Sequence, residues 1–94
     1  MKNTRTIQVR IEGQVQCVGF RAFVEMNAID LGLVGWVRNR QDGSVEAVFQ
    51  GAVDAVETIL QRCQAGPPAS AVTGVKLLGE GAGSFNGFSV RRTV

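Results

Sequence analysis

The stretch Ile7-Gln8-Val9-Arg10-Ile11-Glu12-Gly13-Gln14-Val15-Gln16-Cys17-Val18-Gly19-Phe20-Arg21 changes its repeat part-way along. From Ile7 to Glu12 apolar and polar residues alternate singly. Successive side chains of a strand point to opposite faces, so this segment reads as a half-buried strand. Gly13 to Gly19 breaks the alternation and reads as a loop. Beyond it, Phe20, Phe23, Val24, Ala28 and Leu31 recur at the spacing of one helix face, and Gly32 stands where a helix C-cap belongs. The spacing predicts a helix over 20–31.

Working outward, Val34, Trp36 and Val37 suggest a second strand ending near Asn39. Arg40-Gln41-Asp42-Gly43 carries the Asp-Gly signal of a hairpin turn. Val45, Ala47 and Phe49 then alternate with Glu46, Val48 and Gln50, a third strand with one apolar face. Gly51 precedes a second helical pattern, Val53, Val56, Ile59, Leu60 and Cys63, with Asp54 and Glu57 in or near the first turn, where the helix dipole favours acids. Gly66-Pro67-Pro68 stops that helix. Val72 to Leu78 is a fourth strand, 79–83 a flexible loop, and Phe85 to Arg91 a terminal strand segment.

Two strand-helix-strand units require right-handed crossovers. The arrangement that buries both helices is an α+β ferredoxin-like sandwich, βαββαβ, with an antiparallel sheet carrying two helices on one face. Residues 1–94 read as one domain, without internal repeats or low-complexity linkers.

Composition narrows the function classes. Of 94 residues, 45% are hydrophobic and 19% charged, with a net charge of +2. Those charges are spread along the chain, so neither nucleic acid nor a membrane surface is expected as a partner. No run is long enough to span a membrane, and the polar Met1 to Thr6 passes straight into the strand pattern. A cytoplasmic monomer is expected. Two lone cysteines, Cys17 and Cys63, make neither a disulfide framework nor a metal site, and the chain has no histidine. No cofactor and no metal are expected.

The loop from Gly13 to Gly19 leaves a strand and enters a helix, so it can turn several backbone N–H groups inward at the positive end of the helix dipole. Arg21, at the helix start, can add a bidentate grip on a phosphoryl group. The plain alternative is an ordinary turn beside an arginine. In this topology the first two strands run parallel, so Asn39 falls near the same edge. Its carboxamide can hold a water by donating and accepting hydrogen bonds. Equally, an asparagine at that point can serve only to start the hairpin.

Together the two segments resemble the acylphosphatase family. Its pattern Gly-x-Val-Gln-Gly-Val-x-Phe-Arg is similar to Gly13 through Arg21, and its Gly-aromatic-x-x-Asn followed by Asp-Gly-x-Val is similar to Gly35 through Asn39 and Asp42 through Val45. Gly66 to Val72 and Phe88 to Arg91 also look like family segments, so the likeness runs from Ile7 to Arg91.

The resemblance implies hydrolysis of acyl phosphates to carboxylate and inorganic phosphate, the latter acting as product and inhibitor. It implies Arg21 and Asn39 as the catalytic pair, with the phosphoryl group bound by Arg21 and the backbone amides of Val15, Gln16, Cys17, Val18, Gly19 and Phe20. Asn39 would position the attacking water. One departure is plain: the family has glycine where this chain has Cys17. A second reading arises from it, an anion-binding module with weak or no turnover. A third is an RNA-binding sheet, which needs aromatic and basic residues on a central strand, where Ser44 to Gln50 offers only Phe49. Phe20, Phe23 and Cys63 read as core, Trp36 as a core or rim aromatic, and Arg91-Arg92 as a solvated tail.

Overall fold

A computed structural model describes residues 4–81 and 83–94. Met1 to Asn3 of the polar N-terminal run and Ala82 of the 79–83 loop lie outside the described residues. The elements run in the order β1 (Thr4–Gln14), α1 (Phe20–Asp30), β2 (Val34–Asn39), β3 (Val45–Ala52), α2 (Val53–Ala65), β4 (Ala71–Glu80) and β5 (Phe88–Val90). The sheet order is β4-β1-β3-β2-β5. β1 pairs antiparallel with β3 and β4, and β2 pairs antiparallel with β3. The expected antiparallel sheet is therefore present, and β5 extends it as a parallel neighbour of β2, making the sheet mixed.

The strand alternation sets which side meets the helices. Ile7, Val9 and Ile11 of β1, Val37 of β2, and Val45, Ala47 and Phe49 of β3 are buried in one cluster with Phe20, Val24 and Ala28 of α1 and Val56, Ile59 and Cys63 of α2. Ile7 stands opposite Phe49 and Val37 opposite Ala47, so the apolar positions fall in register across the sheet. Burying a side chain of this size contributes about 1.5–3 kcal/mol before the cost of ordering it.

Helix ends fall where the sequence signals place them. α1 stops in a Schellman motif: Leu33 N–H donates to Ala28 O at 2.8 Å and Gly32 N–H to Ile29 O at 3.0 Å, with Gly32 at φ +72. α2 ends at Gly66, whose N–H reaches Arg62 O at 2.9 Å. Several strand extents differ from expectation: β1 runs from Thr4 to Gln14 and takes Gly13 and Gln14 from the expected loop, because both pair with β4, and β3 runs on to Ala52. β4 runs on to Glu80, which shortens the 79–83 loop. The terminal strand covers only Phe88–Val90, because Gly87, at φ +82, turns the chain and only residues beyond that turn lie alongside β2.

The opposite face of the sheet carries no helix, yet it is not simply polar. Trp36 and Val48 are buried there, as is Glu46. Arg38 and Arg91 set their guanidiniums 4.6 and 5.0 Å from the Trp36 ring centroid. Arg91 is thus half of a cation–π pair and not a free tail residue.

Candidate active site

Two chain segments meet at one edge of the sheet. The first is the loop between β1 and α1. Gly13, near the end of β1, pins the strand that leads into it: φ is +121, and a Cβ there would lie 2.1 Å from Ala71 O, so only glycine lets β4 approach this closely. Val15, 1% exposed, drops into the core and anchors the loop. Cys17 comes next with φ +61, the left-handed region, and then Gly19 with φ +78. α1 begins without a side-chain cap, and its first turn closes by Phe23 N–H donating to Gly19 O at 3.0 Å. Among the described residues, no protein acceptor takes the N–H groups of Gln16 to Ala22. Such orphan donors at a helix start form the positive end of its dipole and suit an anion.

The second segment is the end of β2. Asn39 pairs with Val45 and leads into a tight hairpin. Arg40 N–H donates to Ser44 O at 2.8 Å and Gly43 N–H to Arg40 O at 3.1 Å. Asp42 Oδ1 accepts from Ser44 N–H at 2.9 Å and from the Ser44 hydroxyl at 2.6 Å, and these bonds hold its carboxyl below the ordinary range. The hairpin is also held from the C-terminus, where Val94 N–H donates to Asn39 O at 3.2 Å and Gln41 N–H to Val94 O at 2.8 Å.

Between the segments lies an open cleft of about 310 Å³ lined by Val15, Cys17, Gly19, Phe20, Arg21, Ala22, Glu25, Asn39 and Val90. Six of the eight residues singled out in the sequence line this cleft. Gln16 and Val18 do not: the Gln16 side chain turns to the hairpin, and Val18 packs on the core. Among the described residues, the Arg21 guanidinium makes no ion pair, so its donors remain free for a ligand in the cleft. Asn39, distant in sequence, is brought to the same cleft.

Three lining residues were not singled out. Ala22 and Glu25 sit on the same helix as Arg21, Glu25 four residues on and hence on the same face. Glu25 is a near carboxylate in the sequence, but nothing there marks it as facing the cleft. Val90 comes from β5, and no local pattern announces it. The other cysteine takes no part: Cys63 is fully buried, and burial pushes its thiol up to about 12. Among the described residues no cluster of three or more His, Cys, Asp or Glu could hold a metal ion, and no helix is long and apolar enough to cross a membrane.

Comparison with known proteins identifies the family and the fold. The family model described as Acylphosphatase matches residues 7–90. An acylphosphatase of Rhodopseudomonas palustris is 52% identical over 85 residues, covering 90% of this chain and 83% of that protein. One from Synechococcus sp. is 45% identical over 94 residues, covering all of both chains. The solved structure of an acylphosphatase from Coxiella burnetii superposes with a TM-score of 0.90 at 37% identity, covering 95% of this chain and 94% of that one. With the family model spanning most of the chain and relatives this similar along their full fold, the chain belongs to the acylphosphatase family.

Proposed function

We propose that this chain hydrolyses acyl phosphates with Arg21 and Asn39 in distinct roles. The observation that carries the reading is the shared cleft: Val15, Cys17, Gly19 and Phe20 of the β1–α1 loop and helix start, Arg21, which has no ion partner among the described residues, and Asn39 line a single opening. The loop amides from Val15 to Phe20 and the Arg21 guanidinium would take the phosphoryl oxygens. Phosphoryl transfer asks chiefly for alignment and for charge stabilisation on those oxygens, and these groups supply the second. Asn39 supplies the first by holding a water in line with the departing carboxylate. The water oxygen bonds to phosphorus as the bond from phosphorus to the acyl oxygen breaks. The carboxylate leaves without needing a proton, and the water's proton passes to a phosphoryl oxygen. No histidine and no metal are needed for these steps.

The reading with weak turnover is not favoured, since close relatives that span most of this chain are named acylphosphatases. Cys17 changes a side chain while keeping the peptide N–H. In this reading the chain acts as one domain, monomeric and cytoplasmic, with a small acyl phosphate and no macromolecular partner. The test is hydrolysis of acetyl phosphate in excess chelator. Turnover should persist and be inhibited competitively by inorganic phosphate. Loss of turnover that a divalent ion restores would overturn the metal-free mechanism.

A further inference from the structure

Gln16 belongs to the loop that forms the cradle, but its side chain leaves the cleft. Its Nε2 donates to the carbonyl oxygen of Arg40 at 2.6 Å and to that of Ser44 at 2.9 Å. Both partners are carbonyl oxygens, so only the amide nitrogen of the carboxamide fits against them. The same two carbonyls close the hairpin, through the bonds from Gly43 N–H and Arg40 N–H. Asn39 is the residue just before.

This tie spans a gap that the sheet leaves open. β1 and β2 are not neighbours, because β3 lies between them. Ile11 and Asn39 both pair with Val45 of β3, but no ladder bond joins the cradle loop beyond β1 directly to the hairpin that follows Asn39. We propose that Gln16 is a positioning residue for the hydrolytic step: its carboxamide clamps the phosphate loop to the β2–β3 hairpin and holds the Asn39 carboxamide where its water lies in line. In-line attack is sensitive to such placement, since a shift of about 1 Å can cost on the order of a hundredfold in rate. The inference rests on the role of Asn39 proposed above.

The experiment is a double-mutant cycle with acetyl phosphate as substrate and inorganic phosphate as inhibitor, in folded protein checked by circular dichroism. Gln16→Met keeps the apolar stem and removes both donors, and Gln16→Ala is its companion. Each is made alone and in an Asn39→Ala background. Gln16→Met should lower kcat by roughly tenfold to a hundredfold and leave the phosphate inhibition constant within about twofold. In the Asn39→Ala background the same change should have no further effect on kcat. Independent, multiplicative losses would overturn the proposal, as would equal weakening of phosphate binding and kcat. If Asn39→Ala alone left turnover intact, the role of Asn39 would fall first, and the clamp with it. If Asn39→Ala abolished turnover while Gln16→Met kept parental kcat, only the clamp would fall.

Discussion

Glu46 and Arg40 meet on the helix-free face of the sheet, with Arg40 Nη1 2.8 Å from Glu46 Oε1. Arg38 reaches the same oxygen through Nη2 at 2.8 Å and Nε at 2.9 Å, and Gln8 Nε2 donates to the other carboxylate oxygen. Arg38 and Arg40 flank Asn39 in the chain. One buried carboxylate thus braces both neighbours of the residue proposed to hold the water.

Glu46→Ala should destabilise the fold. It removes charge-assisted bonds but leaves two arginines that can still reach solvent, so about 2 kcal/mol is expected. For a chain of this size that lowers Tm by roughly 8–16 °C in a thermal scan. The pH dependence has a definite sign. Burial raises the Glu46 carboxyl, but hydrogen bonds from Arg38, Arg40 and Gln8 outweigh it, and the folded value lies below the ordinary 4.5. Its stabilisation is therefore complete above the unfolded value and is lost as pH falls through the lower folded one. Glu46→Gln should flatten that acid limb in denaturant titrations. An unchanged limb would assign acid sensitivity to other carboxylates.

Arg21→Ala should weaken phosphate inhibition and lower kcat/KM together. The guanidinium has no protein ion partner among the described residues, so its removal should not unfold the chain. A lost charge-assisted contact of about 1.5–3 kcal/mol corresponds to roughly tenfold to a hundredfold in each constant. Parental kinetics in the variant would refute the grip.

Asn39→Ala should split the two constants. Phosphate inhibition should remain within about twofold while kcat falls by roughly a hundredfold or more, the pattern of an interaction made mainly in the transition state. Parallel losses would instead move Asn39 among the phosphate ligands.

Cys17→Gly should leave activity equal or higher. The residue sits at φ +61, where a side chain costs about 1 kcal/mol that glycine avoids. Glycine's greater unfolded-state freedom offsets up to about 1 kcal/mol of that, so Tm should move little. Thiol labelling tests its position separately. Cys17 is exposed and Cys63 is buried with a raised pKa, so alkylation at neutral pH should mark Cys17 alone. Saturating phosphate should slow it. Labelling at an unaltered rate would put the thiol outside the cradle mouth.

Local patterns in the sequence determined the elements and much of the site. Alternation from Ile7 to Glu12 names a strand and its buried face, and Gly32 and Gly66 mark helix ends, because these signals depend only on backbone geometry within a few residues. The same holds for the loop before Phe20, where glycines and a helix start create free amides whatever surrounds them. Tertiary structure decided the rest. Glu46 stands at a polar position of an alternating strand, and its partners are Gln8 on β1, Arg38 on β2 and Arg40 in the hairpin that follows β2. Val90 reaches the cleft only because β5 joins β2 in parallel, a pairing with no local signature. Gln16 meets Arg40 because β1 and β2 flank β3 and end at the same edge. Periodicity tells a residue which side of its own element it occupies; what stands opposite is set by the order in which the strands assemble.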